Sequence, residues 1–364
     1  PPDAEQALNC QQRFEELVAE EGQQVLGWRT VPTDNAPLGA TSKSCEPLIR
    51  QVFIGRCPTI EEDMAFERKL YVIRRLIENR IDALGSYFQI ASLSSKTFIY
   101  KGMFLAHQTP EFFPDLQDRD LESRVAVVHQ RYSTNTFPTW DLAQPFRYLC
   151  HNGEINTVRG NINWMHARQS MFASELFGED IEKIKPVIDP NGSDSAMFDN
   201  CLELLALAGR SLPHAVMMMI PEAWENQEDM DPDLKAYYEY HSFLMEPWDG
   251  PASIAFTDGR VIGAVGPWFP GDWPEREIGW SIWDPEAEGQ GHAEDGARAV
   301  YFACTSGGPA QKGQVFKYEP SPEEGTSGEA AQPGRLSLFA ESTGDQDFDM
   351  CDNIVAAPWR DLIV

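Results

Sequence analysis

"RYLCHNGEINTVRGNINW", residues 147–164, is the stretch on which the reading of this chain turns. Its opening, through Tyr148, Leu149 and Cys150, is an apolar segment that suits a strand, and it runs straight into a bare Asn152-Gly153 pair. Alone, Asn-Gly signals a type I′ turn. The same two residues can also do chemistry. Asn152 offers a side-chain NH2 and Gly153 a backbone N–H that no Cβ crowds, two donors suited to a developing oxyanion. Both readings stand at this point, and one turn geometry would serve either.

Working outward, "RVAVVHQRYS" reads as a buried strand running into Arg131, and "SYFQIASLSSKTFIYKGM" as a hairpin. On the other side, "GSDSAMFDNCLELLALAG" is a helix entered from a polar turn. Met197, Phe198, Cys201, Leu204, Leu205 and Ala208 share its apolar face, and Gly209 ends it. Near the start, Cys10, Phe14, Leu17 and Val18 recur at helical spacing between an Asp3 cap and a Gly22 stop. Thr59 and Glu62 form a capping box ahead of Phe66, Leu70, Ile73 and Ile77. "HAVMMMIP" reads as a strand, as do the two arms of "PASIAFTDGRVIGAV" on either side of Asp258-Gly259. Between them Asp231 caps and Pro232 starts a helix carrying Leu234, Tyr238, His241 and Met245. Strands grouped with strands predict an α+β fold on antiparallel sheets, not a doubly wound parallel one.

Composition narrows the function. A formal charge of -28 over 364 residues repels phosphate backbones and anionic lipid, so neither nucleic acid nor membrane is expected as a partner. The opening residues show no secretory pattern. Seven cysteines, odd in number and with no C-x-x-C pair, argue against a disulfide framework and a zinc site, and a cytoplasmic location is expected. The seven histidines show no ligand spacing either, so no metal ligand is assigned. From Gly266 the texture changes: residues 266–364 are dense in Gly, Pro and Glu, and only "ARAVYFACTS" reads as a short strand. The rest reads as loop or disorder.

Three blocks carry a closer likeness: "HQRYSTNTFPTWDLAQPFRYLCHNGEINTVRGNINWMHAR", "VIDPNGSDSAMFDN" and "AVMMMIPEAWENQEDMDPDLKAYYEYHSFLMEPWDGPASIAFTDGR". Over residues 1–265 the chain resembles the type 2 glutamine amidotransferase domain of the glutamate synthase large subunit. The resemblance implies an N-terminal-nucleophile hydrolase fold, a four-layer αββα sandwich of two antiparallel sheets. It implies that glutamine is hydrolysed at its side-chain amide, with Asn152 and Gly153 as the oxyanion hole. Arg131 would pair with the substrate α-carboxylate through its planar fork, and Thr134 would add a hydroxyl to the same group. Asp194 would accept from the α-ammonium, although Asp194 or Ser193 could equally cap the following helix and do nothing else. The ammonia would pass to synthase domains that use FMN and an iron–sulfur cluster to make glutamate from 2-oxoglutarate, with a small electron-transfer subunit as a further partner. No cofactor motif lies in these residues themselves.

Two departures qualify the match. The family's nucleophile is an amino-terminal cysteine, whereas this chain opens Pro1-Pro2. The sequence therefore reads as a fragment, incomplete at the N-terminus and inactive by itself. Cys150 beside His151 is no substitute, because neighbours on a strand point to opposite faces; Cys150 and Cys10 read as inert packing. After Val265, "GPWFPGDWPERE" replaces an "LDRNGLRP"-like segment. Codons such as GGA-CCG-TGG, read one nucleotide later, restore Asp-Arg, so the tail reads either as frame-shifted or as a natural disordered extension. The rival functions are another type 2 amidotransferase, a glutamine-binding regulatory module without catalysis, and an unrelated Cys-His hydrolase.

Overall fold

A computed structural model describes residues 4–82, 88–123, 125–228, 230–268, 277–283, 300–304, 314–319, 335–341, 355–356 and 362–363. Its contacts divide the chain into two compact units, Pro1–Gly259 and Arg260–Val364.

The first unit opens with α1 (Ala4–Glu20), whose Cys10, Phe14, Leu17 and Val18 are buried as their spacing predicts. Gly22 takes φ +73 and lets Gln23 N–H reach back to Val18 O at 3.0 Å, closing the helix; the Asp3 cap lies outside the described residues. Next come β1 (Gln24–Thr30), α2 (Ala40–Ser44) and β2 (Arg50–Gly55), the two strands pairing antiparallel. α3 (Asp63–Asp82) lays Ile73, Leu76 and Ile77 against the buried stripe of α1, and Val25, Trp28, Val52 and Ile54 of the ladder pack on this cluster.

The capping box placed at Thr59 is a correction. The helix starts four residues later, at Asp63, and Thr59 lies in a turn closed by Ile60 N–H to Cys57 O at 2.9 Å. With Glu62 directly before the helix, its backbone oxygen accepts from Phe66 N–H at 3.1 Å and Thr59 is too far back to cap.

Two expected strand regions are corrected as well. Among the described residues, 88–103 and 125–133 form no ladder. In the first, side chains take the place of a partner strand: the Glu67 carboxylate accepts from Ser94 Oγ at 2.8 Å and Ser95 N–H at 2.7 Å. In the second, Val128 is 78% exposed, so the apolar run ahead of Arg131 is not buried. Neither run pairs with a strand among the described residues, and apolar alternation cannot show that on its own.

After the short α4 (Thr109–Phe112), β3 (Leu149–Gly153) carries the opening motif. α5 (Val158–Arg168), α6 (Asp194–Leu207), α7 (Leu212–Met219) and α8 (Pro232–Ser242) follow, and β4 (Ala252–Thr257) returns to pair antiparallel with β3. α6 is as expected in extent, but it is buried on nearly every side rather than along one face. The strand predicted at "HAVMMMIP" is instead the helix α7. Ser211 caps it, accepting from His214 N–H at 3.4 Å, and Pro213 sits in its first turn. A short apolar run does not distinguish strand from helix, and these two flanking residues were the overlooked signal. α8 is capped as read, with Asp231 Oδ1 accepting from Asp233 N–H at 2.9 Å and Leu234 N–H at 3.1 Å.

A buried ionic network ties α3, α6 and the entry to β3 together. Arg74, 1% exposed, donates to Glu78 of its own helix and to Glu203 of α6. Arg147 reaches Glu78 at 3.1 Å, while the Asp199 carboxylate accepts the backbone N–H of Tyr148 at 2.8 Å and of Arg147 at 3.2 Å. The residues leading into β3 are thereby fixed to α6.

In the second unit β5 (Ile262–Trp268) pairs antiparallel with β6 (Glu277–Trp283). The strand read in "ARAVYFACTS" is β7 (Val300–Cys304), and it forms a ladder with β8 (Gln314–Glu319), itself paired with β9 (Arg335–Glu341). β10 (Val355–Ala356) and β11 (Leu362–Ile363) make a short last pair. Every ladder whose register is given above is antiparallel, as the grouping of strands in the sequence predicts.

Candidate active site

Asn152 and Gly153 end β3 and pair across the ladder with Ser253 and Ala252, so they are strand residues and not a turn. Gly153 takes φ +134, and a Cβ there would stand 1.8 Å from Pro251 O. Only glycine fits this approach. The chain after it is clamped by the segment before β4: Glu154 N–H donates to Pro251 O at 3.2 Å, and Asn156 N–H to Asp249 O at 2.7 Å. Gly250 makes the clamp possible, since its own Cβ would lie 1.9 Å from Glu154 O.

The other edge of β3 at His151 faces a side chain. Gln144 Oε1 accepts from His151 N–H at 2.7 Å, and Gln144 Nε2 donates to His151 O at 2.8 Å, so one carboxamide replaces a neighbouring strand. This holds the residue before Asn152 in place.

Residues 131–134 lie across this strand end. Arg131 Nη2 donates to Asn152 Oδ1 at 3.1 Å, Ser133 Oγ to Asp194 Oδ1 at 2.7 Å, and Thr134 Oγ1 to Glu154 Oε1. Asp194 opens α6 and is 3% exposed; its Oδ1 also accepts from Ser195 N–H at 2.8 Å and its Oδ2 from Ile155 N–H at 2.9 Å. Burial alone would raise this carboxyl, but the Ile155 N–H, the Ser133 hydroxyl and nearby His151 outweigh it and hold the pKa below the ordinary value. Ser193, not Asp194, supplies the helix cap, through Ala196 N–H at 3.2 Å. Asp194 is thus left to join the three segments, and Oδ2 retains a lone pair beyond its one bond.

All five residues singled out from the sequence, Arg131, Thr134, Asn152, Gly153 and Asp194, therefore meet at one strand end. Ser133, Glu154, Ser195, Gln144 and Gly250 were missed. "WDGPA" at residues 248–252 held a visible signal for Gly250, since Asp-Gly-Pro marks a tight chain reversal. Nothing local marks the others.

His151 and Cys150 point apart, as alternation on a strand requires. His151 Nδ1 shares a 2.7 Å hydrogen bond with Ser195 Oγ, and burial pulls its pKa down to about 4. Burial pushes the Cys150 thiol up to about 11, so it is no thiolate at neutral pH. The histidine has a thermodynamic consequence. Its folded pKa lies below the ordinary 6.5, so unfolding takes up a proton and stability is lost as pH falls from about 6.5 through about 4. Urea denaturation across that window should show the loss in the parent and a flatter profile in His151→Asn. Equal slopes in the two proteins would contradict the assignment.

Comparison with known proteins gives the family. The family described as glutamine amidotransferases class-II matches residues 1–266. The glutamate synthase [NADPH] large chain of Bacillus subtilis is 53% identical over 249 residues, covering 68% of this chain and 16% of that protein. Glutamate synthase [NADH] of Saccharomyces cerevisiae is 47% identical over 265 residues, covering 71% of this chain and 12% of its own length. Ferredoxin-dependent glutamate synthase 1 of Arabidopsis thaliana is 40% identical over 271 residues, 72% of this chain and 16% of the relative. The chain thus corresponds to less than a fifth of each of these proteins. With the match spanning the strand end and every residue gathered there, the chain belongs to the class-II glutamine amidotransferases.

Proposed function

We propose that residues 1–265 carry the glutamine-hydrolysing site of a glutamate synthase, within a four-layer αββα sandwich, and that residues 266–364 lie outside it. The end of the family match at residue 266 supports that boundary. One observation carries the reading: three stretches far apart in sequence bring an arginine fork, a carboxylate and two amide donors to the end of β3.

In this reading Arg131 takes the α-carboxylate of glutamine, Thr134 adds its hydroxyl only by turning it from Glu154, and the free lone pair of Asp194 takes the α-ammonium. The side-chain carbonyl then lies against Asn152 Nδ2 and Gly153 N–H. A cysteine thiol supplied by the longer protein, as the family resemblance implies, attacks that carbon; the carbonyl electron pair moves onto oxygen, and donors fixed by the β4 clamp and Gln144 stabilise the oxyanion without reorganising. Collapse re-forms the carbonyl and breaks the C–N bond, ammonia leaving with the proton given up by the thiol, and water then hydrolyses the thioester to glutamate and the free thiol. Cys150 does not supply the nucleophile.

The relatives' names make delivery of ammonia to a synthase region of a longer chain the fitting context, because ammonia released into water would be protonated before it could react. FMN and iron–sulfur chemistry belong to that region. Among the described residues no cluster of three or more His, Cys, Asp or Glu could hold a metal ion, and no step proposed here runs through such a group. No helix among them is long and apolar enough to cross a membrane.

Calorimetric titration tests the binding half. L-Glutamine should bind at least about tenfold, or about 1.4 kcal/mol, more tightly than 4-aminobutanamide, which lacks the carboxylate, or glutaramate, which lacks the ammonium. Equal affinities for all three would remove the two-pole grip. Ammonia release by the full-length protein separates an enzyme from a glutamine-binding module.

A further inference from the structure

We propose that Arg131 is also a positioning residue for the oxyanion donor, fixing which end of the Asn152 carboxamide faces the substrate. This rests on the reading of the site just given and extends it.

The argument is one of donor and acceptor chemistry. A guanidinium carries only donors. The Asn152 atom 3.1 Å from Arg131 Nη2 must therefore be the acceptor, Oδ1, because Nδ2 in that place would oppose two sets of N–H groups. With Oδ1 committed, Nδ2 is turned away from the arginine and, in the reading above, is the end that meets the oxyanion. The backbone under Asn152 is already fixed by its ladder pairing with Ser253 and by the grip of Gln144 on His151. What remains free is the terminal torsion of the carboxamide, which is broad and nearly two-fold for this side chain. A flip would exchange the donor for a lone pair facing the oxyanion. Arg131 removes that freedom, and in the reading above the same planar fork meets the substrate carboxylate. One residue thus links recognition of the amino-acid end of glutamine to readiness at the amide end.

The test is a double-mutant cycle on ammonia release by the full-length protein. Loss of carboxylate binding alone raises KM and leaves kcat near the parent value. The proposal requires Arg131→Ala to lower kcat at saturating glutamine by about tenfold or more in addition to raising KM. In an Asn152→Ala background the same change should leave kcat within about twofold, since nothing remains to orient. Arg131→Lys, which can still donate to Oδ1 but has no fork, should recover most of kcat and little of KM. A melting temperature within a few degrees of the parent confirms that the exposed Arg131 variants fold. If Arg131→Ala changes only KM, or lowers kcat equally in both backgrounds, this inference fails while the site reading stands. If Asn152→Ala leaves kcat unchanged, or the full-length protein releases no ammonia from glutamine, the site reading fails and takes the inference with it.

Discussion

Asn152→Ala should lower kcat for glutamine hydrolysis in the full-length protein by about 10²–10³, with KM little changed, and Gly153→Ala should cost at least as much. The first change deletes a side-chain donor whose backbone is held by the ladder and by Gln144, so no neighbouring group can move in to replace it. The second adds a Cβ 1.8 Å from Pro251 O at a residue with φ +134. Either the strand end or the clamp must move, and the Gly153 N–H leaves its place in both cases. Strain of this kind costs about 1–3 kcal/mol, so a lower melting temperature should accompany the kinetic loss. Gly160, inside α5, is the control: a Cβ there meets nothing within 4 Å. Gly160→Ala should leave kcat unchanged and stabilise the helix by about 0.5–1 kcal/mol. Steady-state ammonia release and thermal melting of the three variants decide the matter, and full activity in Gly153→Ala would exclude its assigned role.

The second large effect lies away from the chemistry. Arg74→Met should destabilise the chain by about 3–5 kcal/mol, because buried Glu203 loses its cation and Glu78 loses one of the three arginines around it. Burial would raise the Glu78 carboxyl, but Arg74, Arg147 and Arg75 bring it down to about 2. Its folded pKa is depressed, so its contribution is present above about 4.5 and lost as pH falls through about 2. Asp199 has the opposite sign. Burial lifts it to about 6 from an ordinary 3.8, so stability falls as pH rises through that interval. Adding Glu203→Gln to Arg74→Met should recover part of the loss by removing one stranded charge. Urea midpoints of the parent, the single and the double variant measure both effects. An unchanged midpoint for Arg74→Met would show that the network contributes little.

The sequence was legible where a local signal marked an element's ends. Asp231 and Pro232 fixed α8, Ser193 and Gly209 bracketed α6, and Gly22 stopped α1. It was misleading where apolar content stood without such a boundary being weighed. "HAVMMMIP" is as apolar as a buried strand, and only Ser211 and Pro213 mark it as helical. Residues 88–103 and 125–133 failed for another reason, since a strand exists only beside a partner edge and no local pattern reports one.

The site shows the same division. Asn152, Gly153, Arg131, Thr134 and Asp194 were found through long motifs, and the structure gathers them. Ser133, Glu154 and the Ile155 N–H were not, although they bind Asp194 and Thr134 directly. Ile155 and Asp194 stand 39 residues apart, and a backbone N–H carries no identity in a sequence. Gln144 is a further case: its carboxamide acts as a strand edge, a role for which glutamine has no recognisable pattern.

The most direct check of the central claim is an NMR titration of L-glutamine into the protein, following the Arg131 guanidinium, the Asn152 side-chain amide and the backbone amides of Gly153, Ile155 and Asp194. Saturable shifts confined to these groups and their neighbours in residues 131–134, 152–155 and 193–195 are the predicted result. Binding that perturbs other parts of the chain and leaves these signals unmoved would contradict it.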